Sequence, residues 1–150
     1  MDEMARNIGP MMQLLMTGYG ALSKSFYQKY GKEALPVIAG VMGQGGVEWG
    51  KLMQKMTPVK GMKTYGEAFK GMGSMMGMGL DVVELSDNKI HFKLSKCPFG
   101  IEGTSKELCE AMMNLDKAMM STFLGKQGEV KVLKTVAAGD KLCEVIESIR

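Results

Sequence analysis

Histidine and tryptophan occur once each in this chain, cysteine three times and proline four times, and each scarcity narrows what the protein does. With His91 alone and no phosphate-cradling glycine loop, the first hundred residues hold no nucleophile-and-base signature, so any chemistry depends on the cysteines. No apolar run reaches the roughly 18 residues a membrane-spanning helix needs, because Gln13, Gln44 and Glu48 interrupt the two best stretches. A membrane partner is therefore not expected. A net charge of +3, spread along the chain, supplies no basic stripe for tracking phosphates, so nucleic acid is not expected either. The segment from Met11 to Leu22 has the apolarity of a signal sequence but follows Asp2 and Glu3 where a positive flank belongs, and no small-residue cleavage pattern comes after it. A cytoplasmic protein with reduced thiols is the expectation, since three cysteines cannot all pair within one chain.

What the chain does contain is methionine and glycine, 17 and 20 among 150 residues, a length that suits a single domain over 1–150. Met72, Met75, Met76 and Met78, or Met112, Met113, Met119 and Met120, suit an adaptable apolar pocket, and equally a core that uses methionine where others use leucine. The helical part is residues 1–78. Apolar residues Ile8, Met11, Met12, Leu15, Tyr19, Leu22 and Phe26 recur at three- and four-residue steps and predict an amphipathic helix ending near Gly31, with Pro10, Gly18 and Gly20 as points of bending. A second helix is predicted from about Lys32 to Met56, with Pro36 in its first turn and Pro58 closing it. Gly43, Gly46 and Gly50 share one of its faces, where another helix or a flat ligand can come close. A third helix, Met62 to Met76, ends at Gly77 and Gly79.

Residues 79–150 change character. Val82 to Leu85 and Ile90 to Leu94 flank Asp87-Asn88, residues that tolerate left-handed backbone, and read as a hairpin with Ile90, Phe92 and Leu94 inward. His91 faces the other way and shares a side with Cys97 if the strand continues regularly. Thr104 or Ser105 caps a helix that Leu108, Met112, Leu115, Met119 and Phe123 carry to Gly125, with Cys109, Met113, Asp116 and Met120 on a neighbouring stripe. Val130 to Val136, a turn at Ala137 to Asp140, and Leu142 to Ile149 form a second hairpin. The expected fold is α+β: three N-terminal helices followed by a β-β-α-β-β unit with an antiparallel sheet.

The three cysteines sit at a strand end, on a helix and on the strand after a turn, from which they can converge. As soft anionic donors, Cys97, Cys109 and Cys143 suit zinc or, alternatively, an iron–sulfur cluster, with Asp116, His91 or Asp140 as a fourth zinc ligand. Each has a plainer reading: the thiols as core residues, Asp116 as a surface acid, Asp140 as a turn residue bonding its own backbone, and His91 in solvent. Trp49 and Tyr65 are core or pocket wall.

The stretch Cys97-Pro98-Phe99, then Leu108-Cys109, Asp116, and Gly139-Asp140 followed by Cys143, resembles the L-2-amino-thiazoline-4-carboxylic acid hydrolase family, itself related in outline to 4-vinyl reductase-type small-molecule-binding domains. The resemblance covers about residues 80–150. It implies a hydrolase that opens a small C–N/C–S ring, with Cys97, Cys109, Cys143, Asp116 and Asp140 as site residues. Ring opening needs attack on the C=N carbon, either by a Cys97 thiolate whose pKa Lys96 or His91 lowers, or by water on a thiol-held metal with Asp140 or Asp116 as base. The alternative is a non-enzymatic domain that binds a small molecule or cofactor beside a zinc or iron–sulfur site. The glycine- and methionine-rich faces leave a second copy of the chain open as a further partner.

Overall fold

Glycine and methionine, more than the bulkier apolar residues, decide how the first helix lies. Residues 2–150 are described by the structure, a computed structural model, and Asp2–Tyr30 form α1. Its inward side carries Gly9, Met12, Met16, Gly20 and Tyr27, whereas Met11, Leu15 and Leu22 of the expected apolar stripe are exposed. The reason is steric. A Cβ on Gly9 would overlap the Met75 carbonyl and one on Gly20 the Phe99 carbonyl, so glycine is what lets this helix approach. Pro10 lies within α1 without ending it.

A 3-10 turn, Gly31–Glu33, leads into α2, Ala34–Met56, whose buried stripe is Ala34, Ile38, Met42, Gly46 and Gly50. Pro36 falls in the first turn, where backbone N–H groups have no helical acceptor to lose. The helix α3, Met62–Met75, buries Met62, Tyr65 and Phe69 on one side. Among the described residues no helix is long and apolar enough to cross a membrane.

The strands are β1, Leu80–Leu85, β2, Lys89–Leu94, β3, Gly128–Lys134, and β4, Cys143–Ile149, in one antiparallel sheet of order β1-β2-β4-β3. The last strand thus inserts beside β2, pairing Ile90 with Glu147, Phe92 with Val145 and Leu94 with Cys143. All six of these side chains are buried on the helix-covered face. The first hairpin turns without left-handed residues at Asp87-Asn88: among the described residues only glycines have positive φ, and Ser86 N–H closes the turn on the Lys89 carbonyl at 2.9 Å.

The expected single helix between the hairpins is two, α4, Lys106–Met112, and α5, Asn114–Leu124, so the order is β-β-α-α-β-β. Asn114 explains the break: its side-chain amide donates to the carbonyls of Glu110 and Ala111, at 3.2 and 3.1 Å, competing with the backbone donors that would continue α4. Ser105 is the N-cap, its hydroxyl accepting from Leu108 N–H at 3.1 Å. On α2, Gly46 and Gly50 meet α5: a Cβ on Gly50 would lie 2.7 Å from the Met119 carbonyl oxygen, and one on Gly46 would overlap that of Leu115. Gly43 has open space around it, so two of the three glycines serve helix packing.

Candidate functional site

Buried side chains fall into two groups, one between the sheet and α3/α5, the other around α2, α4 and the loop after β2, and both reach Met16 and Trp49. Along that seam packing is incomplete and a cavity remains. Met12 and Met16 of α1, Trp49 of α2 and Phe69 and Met72 of α3 wall one side; Leu94, Cys143 and Val145 of the sheet wall another. The loop residues Cys97, Pro98, Phe99 and Ile101, then Cys109 of α4 and Leu115, Asp116 and Met119 of α5, complete it, with Lys134 also in the wall. Counted with its open mouth the cavity holds about 810 Å³ of empty space.

Cys97, Cys109, Cys143 and Asp116 therefore share one cavity although they are distant in sequence. They do not form a metal centre as placed. Among the described residues no three His, Cys, Asp or Glu side chains are placed to hold a metal ion, and a tetrahedral zinc or an iron–sulfur cluster needs at least that many. Nor is a thiolate prepared. Burial pushes the Cys97 thiol above its usual range, against the pull of the Ile101 and Phe99 backbone donors. Burial raises Cys109 to about 11 despite a hydrogen bond from Thr135. A nucleophile requires the opposite direction.

His91 and Asp140 lie elsewhere. The strand ends at Leu94, so the regular continuation that would put His91 and Cys97 on one side does not occur. His91 stays on the outer face of the sheet, its Nε2 2.9 Å from Glu144 Oε1. That hydrogen bond, with Lys93 and Lys134 nearby, holds the Glu144 carboxyl below its ordinary range. Asp140 is exposed and accepts from Thr135 N–H at 2.9 Å, closing the turn before β4. It is a turn residue.

The acid that the sequence reading missed is Glu147. It is 0% exposed on β4, and its Oε2 accepts from the Tyr65 hydroxyl at 2.8 Å. Its Oε1 has no donor partner, and the carboxyl of Asp116 lies close enough to Glu147 for the two acids to act on each other's ionisation by charge and by hydrogen bonding. Two carboxyls make such a bond when one of them keeps its proton. Burial, then the charge of Asp116, pushes Glu147 well above the carboxylate range. Burial raises Asp116 to about 7, with the bond to Glu147 acting the other way. Tyr65 is pushed up by burial and then by the two acids. The signal was available: Glu147 has the strand parity of Cys143 and Val145, which is inward.

No protein-family model matches the sequence, and no curated protein is significantly similar to it. The resemblance to the thiazoline-carboxylate hydrolases thus gains no family match. Solved structures do share the fold. The phenol-responsive sensory domain of the transcription activator PoxR, determined with phenol, superposes with a TM-score of 0.67 at 17% identity, over 89% of this chain and 74% of that one. Trafficking protein particle complex subunit 3 from Naegleria fowleri, covalently bound to palmitic acid, superposes with a TM-score of 0.67 at 13% identity, over 93% of this chain and 95% of its own. At these identities the likeness shows a common α+β architecture.

Proposed function

We propose that this domain binds one small, largely apolar molecule in the cavity between the helices and the sheet. The observation that carries the reading is the cavity itself: protein interiors are packed with few voids larger than a water, yet here methionine, aromatic and thiol side chains line a channel that opens outward. Methionine adapts its shape to what it contacts, which suits a wall that must close around a ligand. Two solved structures that share this fold hold apolar molecules, phenol in one and a palmitic acid chain in the other. That supports the same use here.

Hydrolysis of a thiazoline-type ring would need an ionised Cys97 or a thiol-held metal. Burial pushes Cys97 and Cys109 away from ionisation, and among the described residues no three donors are placed to hold a metal. Binding without turnover is the reading the geometry favours.

Trp49 is the one tryptophan of the chain and lines the cavity, so its emission reports occupancy. Titration with ethylbenzene, 4-methylphenol and 1-octanol is expected to shift that emission saturably for at least one of them. Cys109→Phe, which places a ring in the channel, is expected to abolish the response with the circular dichroism spectrum retained. Linear, non-saturating responses for all three, or saturation unchanged by the ring, would remove the proposal.

A further inference from the structure

Ion pairs among the described residues lie on the outer sheet face and the helix surfaces, and none includes Asp116 or Glu147. Lys134, the cation in the cavity wall, is turned to Glu144 on the outer face, 3.8 Å away. A pair of carboxyls with one proton between them carries one negative charge, and a buried charge without a counter-ion is costly. Glu147 is fully enclosed, but Asp116 lines the cavity, so a ligand reaches the charge there. A neutral ligand leaves it uncompensated and a carboxylate ligand adds to it. An ammonium group cancels it and donates hydrogen bonds that an ionised carboxyl accepts. The faces of Trp49, Phe69 and Phe99 in the same wall also attract a cation.

We propose that the ligand class of this cavity is an apolar amine, held as its ammonium form against Asp116, while Glu147 and Tyr65 fix that carboxyl from behind. The inference rests on the binding reading above and adds the chemistry of the ligand's polar end. Asp116 is the contacting group; Glu147 and Tyr65 are positioning residues.

The test compares three probes of nearly equal shape, 2-phenylethylamine, 2-phenylethanol and phenylacetate, by Trp49 emission and calorimetry at pH 7.5. The amine is expected to bind at least about 10-fold more tightly than the alcohol, with phenylacetate weakest. Asp116→Asn keeps a hydrogen bond to Glu147 and removes the charge, and is expected to bring amine and alcohol to within about 2-fold of each other. An amine that binds no more tightly than the alcohol, a preference that survives Asp116→Asn, or phenylacetate binding best overturns the inference. If Asp116→Asn does not fold, the amine-to-alcohol ratio of the native protein decides alone. Saturable binding of the alcohol without an amine preference sinks the ligand class and leaves the binding reading standing; no binding by any of the three sinks the ligand class, and the binding reading falls with it when ethylbenzene, 4-methylphenol and 1-octanol also fail to saturate.

Discussion

Raising the pH from 5 to 8 is expected to destabilise the ligand-free protein, and the carboxyl pair sets how much. In the unfolded chain Asp116 ionises near its ordinary value of 3.8, whereas in the fold burial raises it to about 7. Between those values the native state keeps a proton the unfolded state has released, so stability is greatest at the acid end and falls as the pH rises through the folded value. For Asp116 alone the loss between pH 5 and pH 8 is about 3 kcal/mol, and Glu147, also raised, acts in the same direction. Glu144 is held low and titrates below this window, while the raised thiols of Cys97 and Cys109 titrate above it. Urea unfolding at the two pH values measures the effect: with a slope of about 2 kcal/mol per molar urea, the midpoint should drop by more than about 1 M. The double variant Asp116→Asn/Glu147→Gln keeps the size and hydrogen-bonding capacity of the pair, removes both protons, and should lose this drop. A midpoint equal or higher at pH 8, or the same drop in the double variant, would refute the shared-proton account.

Tyr65→Phe deletes the donor to Glu147 Oε2 and should lower stability by about 1–3 kcal/mol, read as a reduced unfolding midpoint. Gly46→Ala should cost about 2 kcal/mol by thermal or urea unfolding, because overlap with Leu115 and Ala118 outweighs the gain of about 1 kcal/mol in helix propensity. Iodoacetamide should label Cys97 and Cys109 slowly at pH 7 and much faster above pH 10, followed by mass spectrometry, with a saturating cavity ligand slowing both. His91→Ala, which removes a contact on the outer sheet face, should leave probe affinity within about 2-fold of the native value in the Trp49 titration.

Periodicity made most of the architecture legible. The stripe Leu108, Met112, Leu115, Met119 and Phe123 is buried throughout, and alternation placed Ile90, Phe92 and Leu94 inward. Two things escaped it. On α1, counting apolar residues selected Met11, Leu15 and Leu22, because a hydrophobicity pattern gives glycine no weight, while the packing depends on Gly9 and Gly20 touching backbone. The break at Met113 depends on an Asn114 side chain taking two carbonyls, a competition that helix propensity does not count. The cysteines and Asp116 were legible as a group because the resemblance tied them together, and they do share one cavity. Glu147 was overlooked because a carboxyl in a strand reads as solvent-facing until its neighbours at two-residue spacing are considered. His91 drew attention as the lone imidazole, but rarity in composition says nothing about location.

The close contact of Gly46 with the Leu115 carbonyl holds α5 against α2 one residue before Asp116. Elsewhere around the cavity, long thioethers such as Met12, Met16, Met72 and Met119 can change rotamer at little expense. Such a chamber has one unyielding corner beside its acid and pliable stretches elsewhere, so it would be more lenient about the outline of a guest than about where the guest carries its polarity.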